Sequence, residues 1–141
     1  MALLVPNLAE ARMISMIVNA TTAQNLNLVL ELYQNNITPA STDVLADYTA
    51  STFTGYSAVT MTSDSWTVTA ATSGAPATAT QTAATTFSCS ATTSESVYGY
   101  FVYQAGATVM MWAELFSDGP YTIANSGDKV ILTPSITLST T

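Results

Sequence analysis

Glu114 and Glu31 are the acids set beside large apolar and aromatic side chains: Glu114 follows Met110 and Trp112 at alternate positions, and Glu31 precedes Leu32 and Tyr33. Glycoside hydrolysis needs two carboxylates within about 10 Å of one another in a cleft, and rings such as these are what a sugar would stack on. The more ordinary reading of either residue is an acid near a strand end that reaches solvent or bonds to a neighbouring turn. Composition closes off other chemistries. The chain has no histidine, so it lacks Ser-His-Asp and Cys-His arrangements, imidazole metal ligands and a proton shuttle at neutral pH. Its six glycines are scattered singly and none leads to a Walker-type lysine, so no phosphate loop is present. Cys89 is the lone cysteine; in the strand-like run Thr85-Thr86-Phe87-Ser88-Cys89-Ser90 it reads as a small buried hydrophobe with no base to activate its thiolate. Asp118, Asn125 and Asp128 lie in turns near the C-terminal strands but lack the dense acidic alternation of a calcium loop. Asn19-Ala20-Thr21 and Asn36-Ile37-Thr38 match the glycosylation acceptor pattern, which a Thr-rich chain produces by chance. The expectation is a non-enzymatic protein without a metal or other cofactor.

The remaining composition is that of a β protein. Charged residues make up only 8% of the 141 residues, and Thr accounts for about one residue in six, with Ala, Ser and Val filling much of the rest. Nine acids against two bases, Arg12 and Lys129, give a formal net charge of -7 and no basic patch for phosphates, so nucleic acid is not an expected partner. No stretch approaches the roughly 18 apolar residues of a membrane helix, and no membrane partner is expected. Pro6, Asn7, Glu10 and Arg12 follow the opening Met1-Ala2-Leu3-Leu4-Val5, which is not the basic-then-apolar order of a leader.

The elements that must position these residues can be read in order. Asn7 and Glu10 mark a helix start, and Leu8, Ala11, Ile14, Ile17 and Val18 recur at helical spacing, so a short amphipathic helix over 8–18 is expected within an N-terminal arm of residues 1–20. The β domain then covers 21–141. Leu26, Leu28, Leu30 and Leu32 alternate as one face of a half-buried strand, and Ser41-Thr42-Asp43 opens a short helical turn through Tyr48. A strand over 65–70 sets Trp66 and Val68 on one side. Residues 71–86 form an Ala/Thr/Ser tract read as a loop followed by an edge strand.

The richest stretch is 97–116, read as a hairpin turning at Gln104-Ala105-Gly106-Ala107. Strict alternation puts Tyr98, Tyr100 and Val102 on one face and Val97, Phe101 and Tyr103 on the other. On the return strand it pairs Met110 with Trp112 and sets Val109, Met111 and Leu115 opposite. A ribbon apolar on both faces must be covered on both, within the chain or by a second subunit. Turns follow at 117–120 and 125–128, and Pro134 marks the last strand as an edge or a bend. About eight strands with turns every 8 to 12 residues give an all-β domain, a β-sandwich or jelly roll.

Three segments together carry a resemblance: Leu4-Val5-Pro6-Asn7-Leu8; Leu30-Glu31-Leu32-Tyr33-Gln34-Asn35-Asn36-Ile37-Thr38-Pro39 with Tyr48-Thr49 and Phe53-Thr54-Gly55-Tyr56; and Tyr98-Gly99-Tyr100-Phe101-Val102 with Trp112-Ala113-Glu114. The chain resembles a group of small tailed-phage proteins that look like accessory components of the virion, over nearly its whole length outside the Ala/Thr tract. The resemblance carries no catalytic motif. By analogy it implies a decoration or cement protein on the outer capsid surface, made in the host cytoplasm and bound to the major capsid protein. A homo-oligomer is expected, a trimer favoured over a dimer, with Leu8, Ile14, Ile17, Tyr98, Tyr100, Met110 and Trp112 at interfaces. The other reading is a tail or fibre component that binds a host surface polysaccharide.

Overall fold

Leu28-Val29-Leu30-Glu31-Leu32-Tyr33 sends its leucines to one face and Val29, Glu31 and Tyr33 to the other, and it forms strand β1 (Leu28–Tyr33). The computed structural model describes residues 27–62, 65–70 and 76–138. Ten further strands follow among them: β2 (Val59–Met61), β3 (Trp66–Thr69), β4 (Ala77–Gln81), β5 (Thr85–Ser88), β6 (Glu95–Val97), β7 (Gly99–Gln104), β8 (Met110–Leu115), β9 (Tyr121–Ile123), β10 (Lys129–Leu132) and β11 (Ser135–Leu138). That is three more than the turn spacing implied: two segments read as single strands are each divided, and β4 and β5 stand where one edge strand was expected. All pairings are antiparallel. The largest sheet has the order β2-β1-β7-β8; a three-stranded sheet runs β11-β4-β3, and two ribbons pair β10 with β5 and β6 with β9. The expected helix over 8–18 and Leu26 lie outside the described residues.

The hairpin exists, with Gly106 at φ +75 in its turn, but two irregularities reassign its faces. Register across the sheet aligns Leu30 with Val102 and Trp112, and Leu32 with Tyr100 and Glu114, so these share one face. Between Val102 and Tyr103 the register shifts: Val102 opposes Trp112 while Tyr103 opposes Met110, leaving Met111 as the extra residue of a β-bulge. Met110 is therefore not on the Trp112 face. It packs with Tyr33, Tyr48, Phe101 and Ala113, whereas Met111 and Trp112 both enter the main core.

The second break falls at Tyr98, where the chain leaves the β6–β9 ribbon and joins the large sheet. Tyr98 bonds its backbone N–H to Tyr33 O and accepts from Phe116 N, both at 2.9 Å, and its ring sits against the Tyr33 and Phe101 cluster rather than beside Tyr100 and Val102. Val97 stays with the main core. Gly99 follows because nothing larger fits: a Cβ there would run into the Glu114 carbonyl and stand 2.7 Å from the Tyr33 ring.

Both faces of the large sheet are covered within the chain. On the leucine face, Phe87 of β5, Val97 of β6, Ile123 of β9 and Val130 of β10 join Leu30, Leu32, Val102 and Trp112 in one cluster. On the other, residues 34–50 cross the sheet through a single 3-10 turn at Leu45–Asp47 and lay Tyr48 between Tyr33 and Phe101, with ring centroids 5.1 and 5.4 Å away. The C-terminal segment divides at Pro134, which is fully buried: β10 pairs with β5, β11 with β4, and the Pro134 carbonyl accepts from Gln81 N at 2.9 Å. Against the sequence reading, β4 is a central strand and not an edge. Thr and Ala bring little apolar mass to it, but a central place needs only hydrogen-bonding partners on both sides, and β-branched Thr fits the pleat.

Candidate functional site

Glu114 lies directly across from Tyr100 on the neighbouring strand, and the Tyr100 hydroxyl donates to its Oε2 at 2.6 Å. Glu31, from the opposite face of the same sheet, accepts from the Tyr103 hydroxyl at 2.8 Å. The two acids thus point away from one another across the sheet and cannot flank one glycosidic bond. Two more pairs repeat the arrangement: Tyr48 donates to Asp43 Oδ2 at 2.8 Å and Tyr121 to Asp118 Oδ1 at 2.6 Å. Four of the seven tyrosines are therefore tied to carboxylates. Burial first, then the partner carboxylate, raises the hydroxyl pKa of Tyr100 and of Tyr48, and pushes Tyr103 up to about 12. Each of the three is a protonated donor at neutral pH, fixing a neighbour rather than attacking a substrate.

The other chemistry-bearing residues are also engaged. Cys89 is 3% exposed and its thiol donates to Ala91 O at 2.9 Å, in keeping with a small core residue. Asp128 Oδ2 accepts from the backbone N–H groups of Ala124 and Asn125, each at 2.8 Å, and these two bonds hold its carboxyl below the ordinary aspartate value. Its carboxylate closes the turn before β10 instead of facing Asp118, which is occupied by Tyr121. Among the described residues no group of three or more His, Cys, Asp or Glu is placed to hold a metal ion.

Of the expected interface residues, Tyr100, Met110 and Trp112 belong to the chain's own core, at 5%, 2% and 0% exposure, and offer no surface to a partner. Trp112 meets Trp66 edge-on, with ring centroids 6.1 Å apart at 77°. Aromatic content marks both cores and interfaces; here Tyr100 and Trp112 are buried in the leucine-face cluster and Met110 in the Tyr48 cluster on the other face. Tyr98 is half-buried; Leu8, Ile14 and Ile17 lie outside the described residues.

Sequence reasoning missed two structural ties. The Tyr56 hydroxyl accepts from Leu32 N at 2.9 Å where β2, which pairs with β1 only as far as Leu30, no longer reaches. Glu95, buried, takes Thr52 N and Oγ1 on its Oε2 at 2.9 and 3.0 Å. No residue spacing announces either, since the partners are 24 and 43 residues apart.

Among the described residues the exposed large apolar ones are Val44, Val68, Tyr121 and Ile131. Val68, expected on one side of its strand with Trp66, is 73% exposed. Two open depressions border these residues, one of about 440 Å³ lined by Phe116, Tyr121, Lys129, Val130 and Ile131, the other of about 420 Å³ lined by Val44, Leu45, Ala46 and Thr108. No protein-family model, no curated protein and no solved structure matches the chain.

Proposed function

We propose that the chain is a non-enzymatic structural component of a tailed-phage virion, a decoration protein that binds and stabilises the shell of the major capsid protein. The observation that carries this reading is the closure of the central sheet on both faces within one chain, with its acids tied to tyrosine hydroxyls. Such a body keeps its shape and presents its outside, as a static particle surface demands. The likeness of the three sequence segments to phage accessory proteins supplies the particle. In this reading the architecture is a β-sandwich, the large sheet forming one layer and the strands that share its leucine-face core the other. Contact with the shell and with sister copies, a trimer on a local threefold, falls to Leu8, Ile14 and Ile17, with Tyr98 the one of the four expected hairpin contacts that is only half-buried.

Solution mass followed by co-sedimentation with empty heads lacking the protein tests this. A defined trimer that saturates the heads at a fixed ratio is the expected result, with saturation lost in a Leu8→Glu, Ile14→Glu double variant of unchanged melting temperature. A monomer that leaves the heads bare would overturn the proposal and direct attention to the tail.

A further inference from the structure

The depression beside β10 combines features found together nowhere else among the described residues. Its aromatic wall is braced: Phe116 packs on Tyr100 from the core side at 6.3 Å and on Tyr121 from the outer side at 5.1 Å, and Asp118 fixes the Tyr121 hydroxyl at 2.6 Å. The opposite wall follows from strand alternation. Val130 is buried at the base, while Lys129 and Ile131 on either side of it stand exposed, Ile131 at 63%. Lys129 is the sole cation of the described residues, and none of the seven carboxylates among them pairs with it.

We propose that this depression is a binding site for a saccharide bearing a carboxylate, a uronic or sialic acid unit of a polysaccharide. The apolar face of a pyranose ring stacks on Tyr121 and Phe116, as sugars do on aromatic platforms, and its other side meets the aliphatic Ile131. The ligand carboxylate turns to the Lys129 ammonium in a charge-assisted hydrogen bond. Asp118, held beside the same ring, accepts a sugar hydroxyl and repels the anionic end, which fixes the direction in which the unit lies. Elsewhere the surplus of acids opposes an anionic ligand, so one site is expected. The site does not depend on where in a virion, or whether in one, the chain resides.

The probes are an oligosaccharide of glucuronic acid and its methyl ester, which has the same ring and no charge, titrated by calorimetry and by NMR. The acid is expected to bind at least about tenfold more tightly than the ester, in line with a hydrogen bond to a charged group. Lys129→Gln should erase that difference, and Tyr121→Ala should abolish binding of both probes. Lys129→Gln alters an exposed strand position and should leave the melting temperature unchanged. Equal affinity for acid and ester, a difference that survives Lys129→Gln, or no binding at millimolar probe would each overturn the proposal.

Discussion

Gly99 carries more constraint than its size implies. It sits opposite Tyr33 in the ladder, and the Tyr33 ring lies over the space where a side chain would begin, with Cε1 2.7 Å from an ideal Cβ. Gly99→Ala should therefore cost at least about 1 to 3 kcal/mol, the range of overpacking in a rigid core. Urea denaturation measures it, and Gly106→Ala, where the added methyl meets nothing within 4 Å, separates close approach from the backbone strain of φ +75. The tyrosines set a second test. Burial raises the hydroxyl pKa of Tyr33, Tyr48, Tyr56 and Tyr100 above the ordinary tyrosine value of 10.0. The folded state thus holds those protons more tightly than the unfolded chain does. The associated stability is complete below about pH 10 and is lost as pH rises through the folded-state values. Melting followed from pH 8 to 11.5 should be flat at first and then fall steeply, and Tyr100→Phe should reduce the slope of the fall.

At the scale of elements, the bulge at Met111 predicts losses of very different size for two neighbouring deletions. Met111 is the extra residue, so removing it leaves Tyr103 opposite Met110 and Val102 opposite Trp112 and keeps both faces. That deletion should cost no more than the buried methionine itself, roughly 2 to 5 kcal/mol, and leave a folded protein. Removing Ala113 instead inverts every residue on one side of it and should abolish folding, which circular dichroism would show. This bulge also marks where reading the sequence stops working. The alternation of β1, the turns at 104–107, 117–120 and 125–128, and a bend at Pro134 were legible, because each depends on local backbone preferences; that the bend divides two strands with different partners was not. The Met110 face was not, since a bulge at Met111 needs no special residue type and shows only in the partner strand. The central place of β4 was illegible for a related reason: it is decided by β3 and β11, which approach from both directions along the chain. Around the candidate sites, the lone cysteine as core could be read from its neighbours, whereas Glu114, expected to reach solvent or a neighbouring turn, takes the Tyr100 hydroxyl of the paired strand instead. The Thr52–Glu95 tie and the cover of Tyr48 over Phe101 could not be read, being contacts between distant segments.

For the molecule as a whole, the question left by a ribbon apolar on two sides has an answer within the chain: one face is closed by β5 and β6 before it and β9 and β10 after it, the other by residues 34–50. The pairing of acids with phenols has a further consequence at this scale. Two basic residues can satisfy few of nine acids, so almost none of the molecule's cohesion rests on attraction between opposite charges. A hydrogen bond from a neutral hydroxyl to a carboxylate is short-ranged and is barely weakened by mobile ions, whereas the mutual repulsion of surplus acids is screened at a Debye length of about 8 Å in physiological salt. Raising sodium chloride from 10 to 500 mM should accordingly raise the melting temperature, where a protein held by surface ion pairs would lose stability. A particle coat built from such units would tighten, not loosen, in brine.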